Sequence, residues 1–181
     1  MFKLGSKVDE LDTPILLLDL DLMEENIKKM GEVFRGMPAS IRPHAKTHKT
    51  PIIAHKQLDA GAIGITCAKV GEAEVMAEAG IKDLLIANQV VGEPKVSRLM
   101  TLARHTNVIV AVDDDANVKH LAASARRKGV KLNVVVEVNV GNNRCGVEPG
   151  EPALKLARYV NNHDSLVFRG LMGYEGFCQN V

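Results

Sequence analysis

The sequence of 181 residues has no tryptophan, two tyrosines and four phenylalanines, so aromatic residues make up only 3% of the chain. Proteins that bind single-stranded nucleic acid stack bases on aromatic side chains, and this composition offers few such side chains. The 23 basic and 22 acidic residues nearly cancel to a formal net charge of +1, so no overall field attracts polyanions. We therefore expect neither nucleic acid nor a membrane surface as a partner.

Long apolar runs are also missing. No stretch approaches the length of a membrane span, and residues 1–10 lack the apolar core of a signal peptide, so a cytoplasmic location is expected. The cysteines Cys67, Cys145 and Cys178 are scattered without Cys-x-x-Cys spacing, which predicts neither a disulfide framework nor a thiolate zinc site. With 46% hydrophobic residues, the chain is long enough for one domain with a substantial core.

Short apolar runs alternate with segments of helical spacing along the whole chain. The apolar runs predict strands at 15–19, 62–67, 83–88, 107–112, 132–140 and 166–173. A further strand is predicted at 39–42, because Arg42 precedes a proline. Helical segments connect them, and short connections of this kind predict βαβ units in a parallel sheet with helices packed outside. No dinucleotide or phosphate-loop fingerprint follows the first strand, which favours a (β/α) barrel over a doubly wound sheet.

The sequence ends just past the last predicted strand, without a helix to cover it. A barrel that stops there is not closed, and its last strand forms an exposed edge. We therefore predict an α/β fold that is an incomplete parallel (β/α) barrel.

One basic segment, Arg42 to Pro51, is the strongest candidate for chemistry. A residue before proline favours extended backbone, so Arg42 before Pro43 indicates a strand, while Thr50 before Pro51 is a good helix start. Lys46 is then predicted at the carboxyl end of a strand, which is the edge where ligands bind in α/β proteins.

The charges around Lys46 allow two interpretations. Arg42, His44, His48 and Lys49 would depress the pKa of the lysine and free its amine to attack a carbonyl carbon. The alternative is a solvated basic loop. His44 and His48 are four residues apart, a spacing that can bind a metal on a helix, but they bracket a predicted strand end, so we do not expect a metal there.

Further candidates fall at the carboxyl ends of other predicted strands. Arg144 lies in a turn rich in glycine and asparagine, where a fixed cation suits an anionic ligand oxygen and the alternative is a surface arginine. Tyr174 could contact a ring or simply plug the barrel mouth. Thr66 and Gln89 end two further strands and could line the same pocket.

Six stretches together resemble the D-threonine aldolase and D-serine dehydratase-like family, whose members are alanine-racemase-type barrels that use pyridoxal phosphate. The matching stretches are LDTP at 11–14, LLDLD at 17–21, RPHAKTHK at 42–49, GEAE at 71–74, GNNRCGV at 141–147 and GYEG at 173–176. They span nearly the whole chain, and the segment around Lys46 is the most specific of them.

The resemblance implies roles for individual residues. Lys46 looks like the Schiff-base lysine and the base that takes a proton from one face of the substrate. Arg144 is similar to the arginine that faces the phenolic oxygen of the cofactor, and Tyr174 to a tyrosine beside it, while His44, Thr66 and Gln89 are further candidates for cofactor binding. The implied activity is retro-aldol cleavage of β-hydroxy D-amino acids. D-serine dehydratase, amino-acid racemase and a non-catalytic pyridoxal-phosphate carrier are the alternatives.

Relatives of this type are considerably longer. The resemblance implies that this chain is the amino-terminal barrel domain, residues 1–181, with about six of the eight strands of a closed barrel. The carboxyl-terminal β domain, the phosphate-binding loops and the ligands for a divalent metal, manganese or magnesium, are then expected outside it. The full-length protein is expected to be a homodimer, and the truncated chain to be inactive or nearly so. Phe177 stands where relatives often have histidine.

Overall fold

A computed structural model describes residues 3–180. Six α-helices are present in this range: α1 (Leu20–Phe34), α2 (Pro51–Asp59), α3 (Val70–Glu78), α4 (Glu93–Leu102), α5 (Asp115–Lys128) and α6 (Glu151–Asn161). Five strands alternate with them: β1 (Ile65–Cys67), β2 (Asp83–Gln89), β3 (Asn107–Val112), β4 (Leu132–Val138) and β5 (Leu166–Gly173). Short 3-10 turns lie at Val8–Glu10 and Gly176–Asn180.

The strands form one parallel sheet in the order β1-β2-β3-β4-β5. Each strand pairs with the next one along the chain, without the reversal of order that defines a doubly wound sheet. This order confirms the predicted (β/α) barrel type. The sheet is open in the described part of the chain, since β1 and β5 do not pair, and the prediction of an incomplete barrel is also confirmed.

Two of the predicted strands need correction. Residues 15–19 form no strand, and their apolar side chains are exposed, because no neighbouring strand pairs with this segment within residues 3–180. The second segment is extended, and Pro43 and Ala45 exchange backbone hydrogen bonds with Thr66 in β1, but only a single bridge, His44 to Thr66, is formed. The described sheet therefore has five strands, with the segment 41–45 in place of the expected sixth.

The main hydrophobic core lies between the sheet and helices α3 to α6. Side chains such as Leu84, Val110 and Val134 are fully buried in it and pack against Leu99 and Leu121 from the helices. Strand residues alternate between the two faces of a sheet, so the residues next to these core side chains along each strand point to the opposite face. There Ile109, Ala111 and Val135 form a second small apolar cluster with Leu85 and Met172, on the side that a closed barrel encloses.

A polar network closes the amino-terminal end of this inner face. The guanidinium of Arg42 forms an ion pair with Asp83, the first residue of β2. Asn107 donates to the other carboxylate oxygen of Asp83 at 2.6 Å, and Asn133 donates to Asn107 at 3.0 Å. We call Arg42, Asp83, Asn107 and Asn133 the amino-end network. Every charge in it has a partner within the network.

Candidate active site

The loop that carries Lys46 is anchored by its neighbour Ala45. Ala45 is buried, its N–H donates to the carbonyl of Thr66 at 2.8 Å, and its own carbonyl accepts from the N–H of Lys49 at 2.7 Å. Lys49 has a positive φ of 50°, which reverses the chain before α2 begins. Lys46 itself is exposed at the carboxyl edge of the sheet, as predicted. The sheet therefore fixes the backbone beside Lys46 and leaves its amine free.

The turn that carries Arg144 is organised by Asn139, just after β4. Its side-chain oxygen accepts from the N–H groups of Gly141 at 3.1 Å and Asn143 at 3.0 Å, and its amide donates to Asn143 and Glu148. Gly146 has a φ of +96°, and a Cβ there would lie only 2.6 Å from the backbone nitrogen of Asn139. The turn therefore requires glycine at position 146.

Lys46, Arg144 and Tyr174 converge at the carboxyl edge of the sheet. The Nζ atom of Lys46 lies 6.0 Å from the ring centroid of Tyr174, and the guanidinium carbon of Arg144 lies 4.7 Å from it, within the range of a cation–π contact. Gly176 makes this possible, since a Cβ there would lie 2.4 Å from the Tyr174 hydroxyl. Lys46, Arg144 and Tyr174, which the sequence singled out, thus form one cluster.

The remaining candidates lie at the same edge, and their polar atoms already have protein partners. The Nδ1 atom of His44 accepts from the N–H of Lys46 at 3.2 Å, and the buried hydroxyl of Thr66 donates to the carbonyl of Arg42 at 3.3 Å. The amide of Gln89 donates to Glu137 at 2.5 Å. Burial, and then the charge of Lys46, lower the pKa of His44 below its ordinary value.

Three residues at this edge were missed as a site from the sequence. Ligand-type atoms of Asp113, Glu137 and Cys145 all lie within 4.8 Å of one another, and Glu137 is buried. Asp113 accepts from the N–H of Gly146 at 2.9 Å, and Glu137 accepts from Gln89, so both carboxylates already serve internal bonds. Asp113 is distant in sequence from Glu137, and the parallel pairing of β3 and β4 brings the two together. The turn after β4 adds Cys145, since the N–H of the adjacent Gly146 binds Asp113.

Arg42 and Cys67 do not belong to the cluster around Tyr174. Arg42 points to the amino-end network, so its charge does not contribute to the surroundings of Lys46 as the sequence suggested. Burial, with a further contribution from Glu72, raises the pKa of the Cys67 thiol to about 12. A thiol of this kind is not a nucleophile at neutral pH, and Cys67 is fully buried among the core residues.

The donor set at this edge fits a cofactor that is an anionic aldehyde. A primary amine can form a covalent bond to a carbonyl carbon, and a guanidinium can bind a phenolate oxygen. Here the two groups lie 6.0 Å and 4.7 Å from the ring centroid of Tyr174. An open parallel (β/α) sheet with these groups at its carboxyl edge is typical of a barrel enzyme with a covalently held carbonyl cofactor.

Comparison with known proteins agrees with this class. Residues 18–180 match the family model of the alanine racemase N-terminal domain, and the chain belongs to that family, whose members are pyridoxal-phosphate enzymes. The chain is 40% identical over 176 residues to a D-threonine aldolase of an Arthrobacter species, covering 97% of this chain and 46% of the relative. It is 37% identical over 179 residues to 3-hydroxy-D-aspartate aldolase of Paracoccus denitrificans, covering 98% of this chain and 46% of the relative.

The crystal structure of D-threonine aldolase from Filomicrobium marinum superimposes with a TM-score of 0.93 at 45% identity, covering 96% of this chain and 47% of that one. This match confirms the predicted resemblance and the fold. The chain spans about half the length of the curated relatives it matches. None of the helices described between residues 3 and 180 has the length and hydrophobicity needed to cross a bilayer.

Proposed function

We propose that the protein is a pyridoxal-phosphate-dependent lyase that cleaves β-hydroxy D-amino acids, and that residues 1–181 are its amino-terminal barrel domain. The observation that carries this proposal is the convergence of the Lys46 amine and the Arg144 guanidinium on the ring of Tyr174. The similarity to two aldolases that act on β-hydroxy D-amino acids supports the reaction class.

Each residue of the cluster has a separate task in this proposal. Lys46 would hold the cofactor through its amine, and the same amine would hold or deliver a proton at the substrate α-carbon. Arg144 holds the phenolic oxygen as a fixed cation. Tyr174 stacks or hydrogen-bonds beside the ring of the cofactor. Pyridoxal phosphate, when bound, supplies an electron sink for the pair released at the α-carbon.

In the proposed reaction the bond between the α-carbon and the β-carbon of D-threonine breaks. The β-hydroxyl loses its proton as its carbon becomes the aldehyde of acetaldehyde, and the α-carbon gains a proton to give glycine. A divalent metal, manganese or magnesium, would favour the loss of the hydroxyl proton by lowering its pKa. We propose that the ligands of this metal lie outside residues 1–181. The homodimer and the cytoplasmic location stay predictions.

The experiment is a product analysis on the full-length gene product, supplied with pyridoxal phosphate and Mn²⁺. D-threonine is expected to give glycine and acetaldehyde in equal amounts, L-threonine is expected to give neither, and a chelator is expected to abolish turnover.

Other products would contradict the proposal in distinguishable ways. A dehydratase would release ammonia and 2-oxobutanoate from D-threonine, and a racemase would invert its α-carbon to give L-allo-threonine. A carrier protein would bind the cofactor and release no product at all.

A further inference from the structure

Two histidines bind the backbone on either side of Lys46 in the same way. The Nδ1 atom of His44 accepts from the N–H of Lys46 at 3.2 Å, and the Nδ1 atom of His48 accepts from the N–H of Thr50 at 3.0 Å. Each bond joins a side chain to the N–H two residues further on, which is the pattern that asparagine and aspartate make in Asx turns. The hydroxyl of Thr50 donates back to the carbonyl of His48 at 2.7 Å and closes the second turn.

These two bonds fix the protonation state of both rings. A ring nitrogen that accepts a hydrogen bond carries no proton, so each neutral imidazole has its proton on Nε2. An imidazolium has a proton on both nitrogens and cannot accept. The two turns therefore exist only while His44 and His48 are neutral.

Gln57 on α2 supports this tautomer for His48. The Nε2 atom of His48 and the Oε1 atom of Gln57 are both buried without a bond of good geometry among the described residues. The two side chains are nonetheless neighbours, since Gln57 raises the pKa of His48. A donor on His48 Nε2 facing an acceptor on Gln57 satisfies both atoms, and it links the lysine loop to α2.

We propose that His44 and His48 are positioning residues, which hold the backbone before and after Lys46 as neutral acceptors and so aim its amine toward Tyr174 and Arg144. This inference rests on the proposed role of Lys46 in cofactor attachment. It assigns a role to His48, to which sequence reasoning gave none beyond its charge, and it replaces cofactor contact by backbone support as the role of His44.

The surroundings of both rings favour the neutral form. Burial is the largest cause that lowers the pKa of His44, Lys46 lowers it further, and Glu72 on α3 and the backbone of Thr66 act in the opposite direction. Burial is also the largest cause that lowers the pKa of His48, while the neighbouring Gln57 side chain acts in the opposite direction. Both pKa values thus lie below the ordinary value of 6.5, so the turns are intact above about pH 6.5 and are lost as the pH falls through the lowered values.

The test compares alanine with asparagine at each position in the full-length gene product. His44→Ala and His48→Ala remove the acceptor, and each is expected to weaken pyridoxal phosphate binding roughly 3- to 10-fold. His44→Asn and His48→Asn keep an acceptor at a similar position and cannot titrate, so they are expected to restore affinity and to flatten its decline between pH 7.5 and 5.5. His105→Ala, an exposed histidine between α4 and β3, is the matched control, with wild-type affinity expected.

A second measurement needs no cofactor. In protein labelled with ¹⁵N-histidine, the imidazole shifts of His44 and His48 at pH 7.5 are expected to show a proton on Nε2 and none on Nδ1. Protonated Nδ1 atoms would overturn the inference, whatever the cofactor does. If wild-type protein attaches the cofactor at Lys46 and the alanine variants bind it equally well, the inference fails and the proposed function stands. If wild type attaches none at Lys46, the proposed function fails, and the shifts still decide the histidine tautomers.

Discussion

The two ends of the parallel sheet both carry polar side chains but use them differently. At the amino end, Arg42 is paired with Asp83, and two asparagines complete a closed network. At the carboxyl end, Lys46 and Arg144 face the ring of Tyr174, and neither forms a salt bridge within the part of the chain that the structure describes.

This difference separates structural charges from charges available for a ligand. A partly buried cation that is paired and hydrogen-bonded supports the fold, because its removal would leave the neighbouring carboxylate without a partner. Two cations held near one ring without a counter-ion contribute little to the fold, because they repel each other. They are useful when an anionic group binds between them. The comparison therefore predicts opposite consequences for the same substitution at the two ends.

The largest contrast is expected between the two arginines. Arg144→Met should weaken pyridoxal phosphate binding roughly 10- to 100-fold, because a charge-assisted hydrogen bond contributes about 1.5–3 kcal/mol. Arg42→Met should leave that affinity within about twofold and lower the free energy of unfolding by roughly 2 kcal/mol, since it leaves the Asp83 carboxylate without its cation. Cofactor titration and denaturant unfolding of both variants measure the two effects.

Two outcomes would contradict the expected difference between the two arginines. A destabilised Arg144→Met protein with normal cofactor affinity would show that Arg144 is structural. An Arg42→Met protein with weakened cofactor binding and unchanged stability would show that the amino-end network extends its influence to the site.

A smaller contrast is expected between two glycines that touch these groups. A Cβ at Gly64 would lie 2.0 Å from the Arg42 guanidinium and 2.6 Å from the carbonyl of Asp83, so Gly64→Ala should cost about 1–3 kcal/mol of stability. A Cβ at Gly176 would displace the ring of Tyr174, so Gly176→Ala should weaken cofactor binding by roughly 3- to 10-fold, with less than about 1 kcal/mol lost in stability. If the two variants lost the same stability and bound the cofactor equally well, the two ends of the sheet would not differ as proposed.

The sequence predicted the architecture well because its signals are local. Each of the six described helices lies between two of the predicted strand segments, and the lack of a dinucleotide fingerprint favoured the barrel over the doubly wound sheet. The strand predicted at 15–19 is wrong, because an apolar run has strand propensity whether or not a partner strand is available. Sheet pairing is a long-range property that the run itself does not contain.

The site was predicted in part for the same reason. Lys46, Arg144 and Tyr174 each follow a predicted strand, and the carboxyl ends of parallel strands meet at one edge. Two contacts could not be inferred from the sequence: the ion pair of Arg42 at the amino end and the hydrogen bond of Gln89 to the buried Glu137. Both depend on which face of a strand each side chain occupies. The histidine bonds around Lys46 were missed because they depend on turn geometry rather than on charge.

The most direct test of the central claim is reductive trapping of the cofactor on the full-length gene product. After incubation with pyridoxal phosphate and reduction with borohydride, peptide mass spectrometry should find the pyridoxyl group on Lys46 and not on Lys49, the exposed lysine three residues away. Lys46→Ala should abolish both the visible absorption band of the bound cofactor and the labelled peptide, while Lys49→Ala should leave both unchanged. Label on another lysine, or a band that survives Lys46→Ala, would contradict the account.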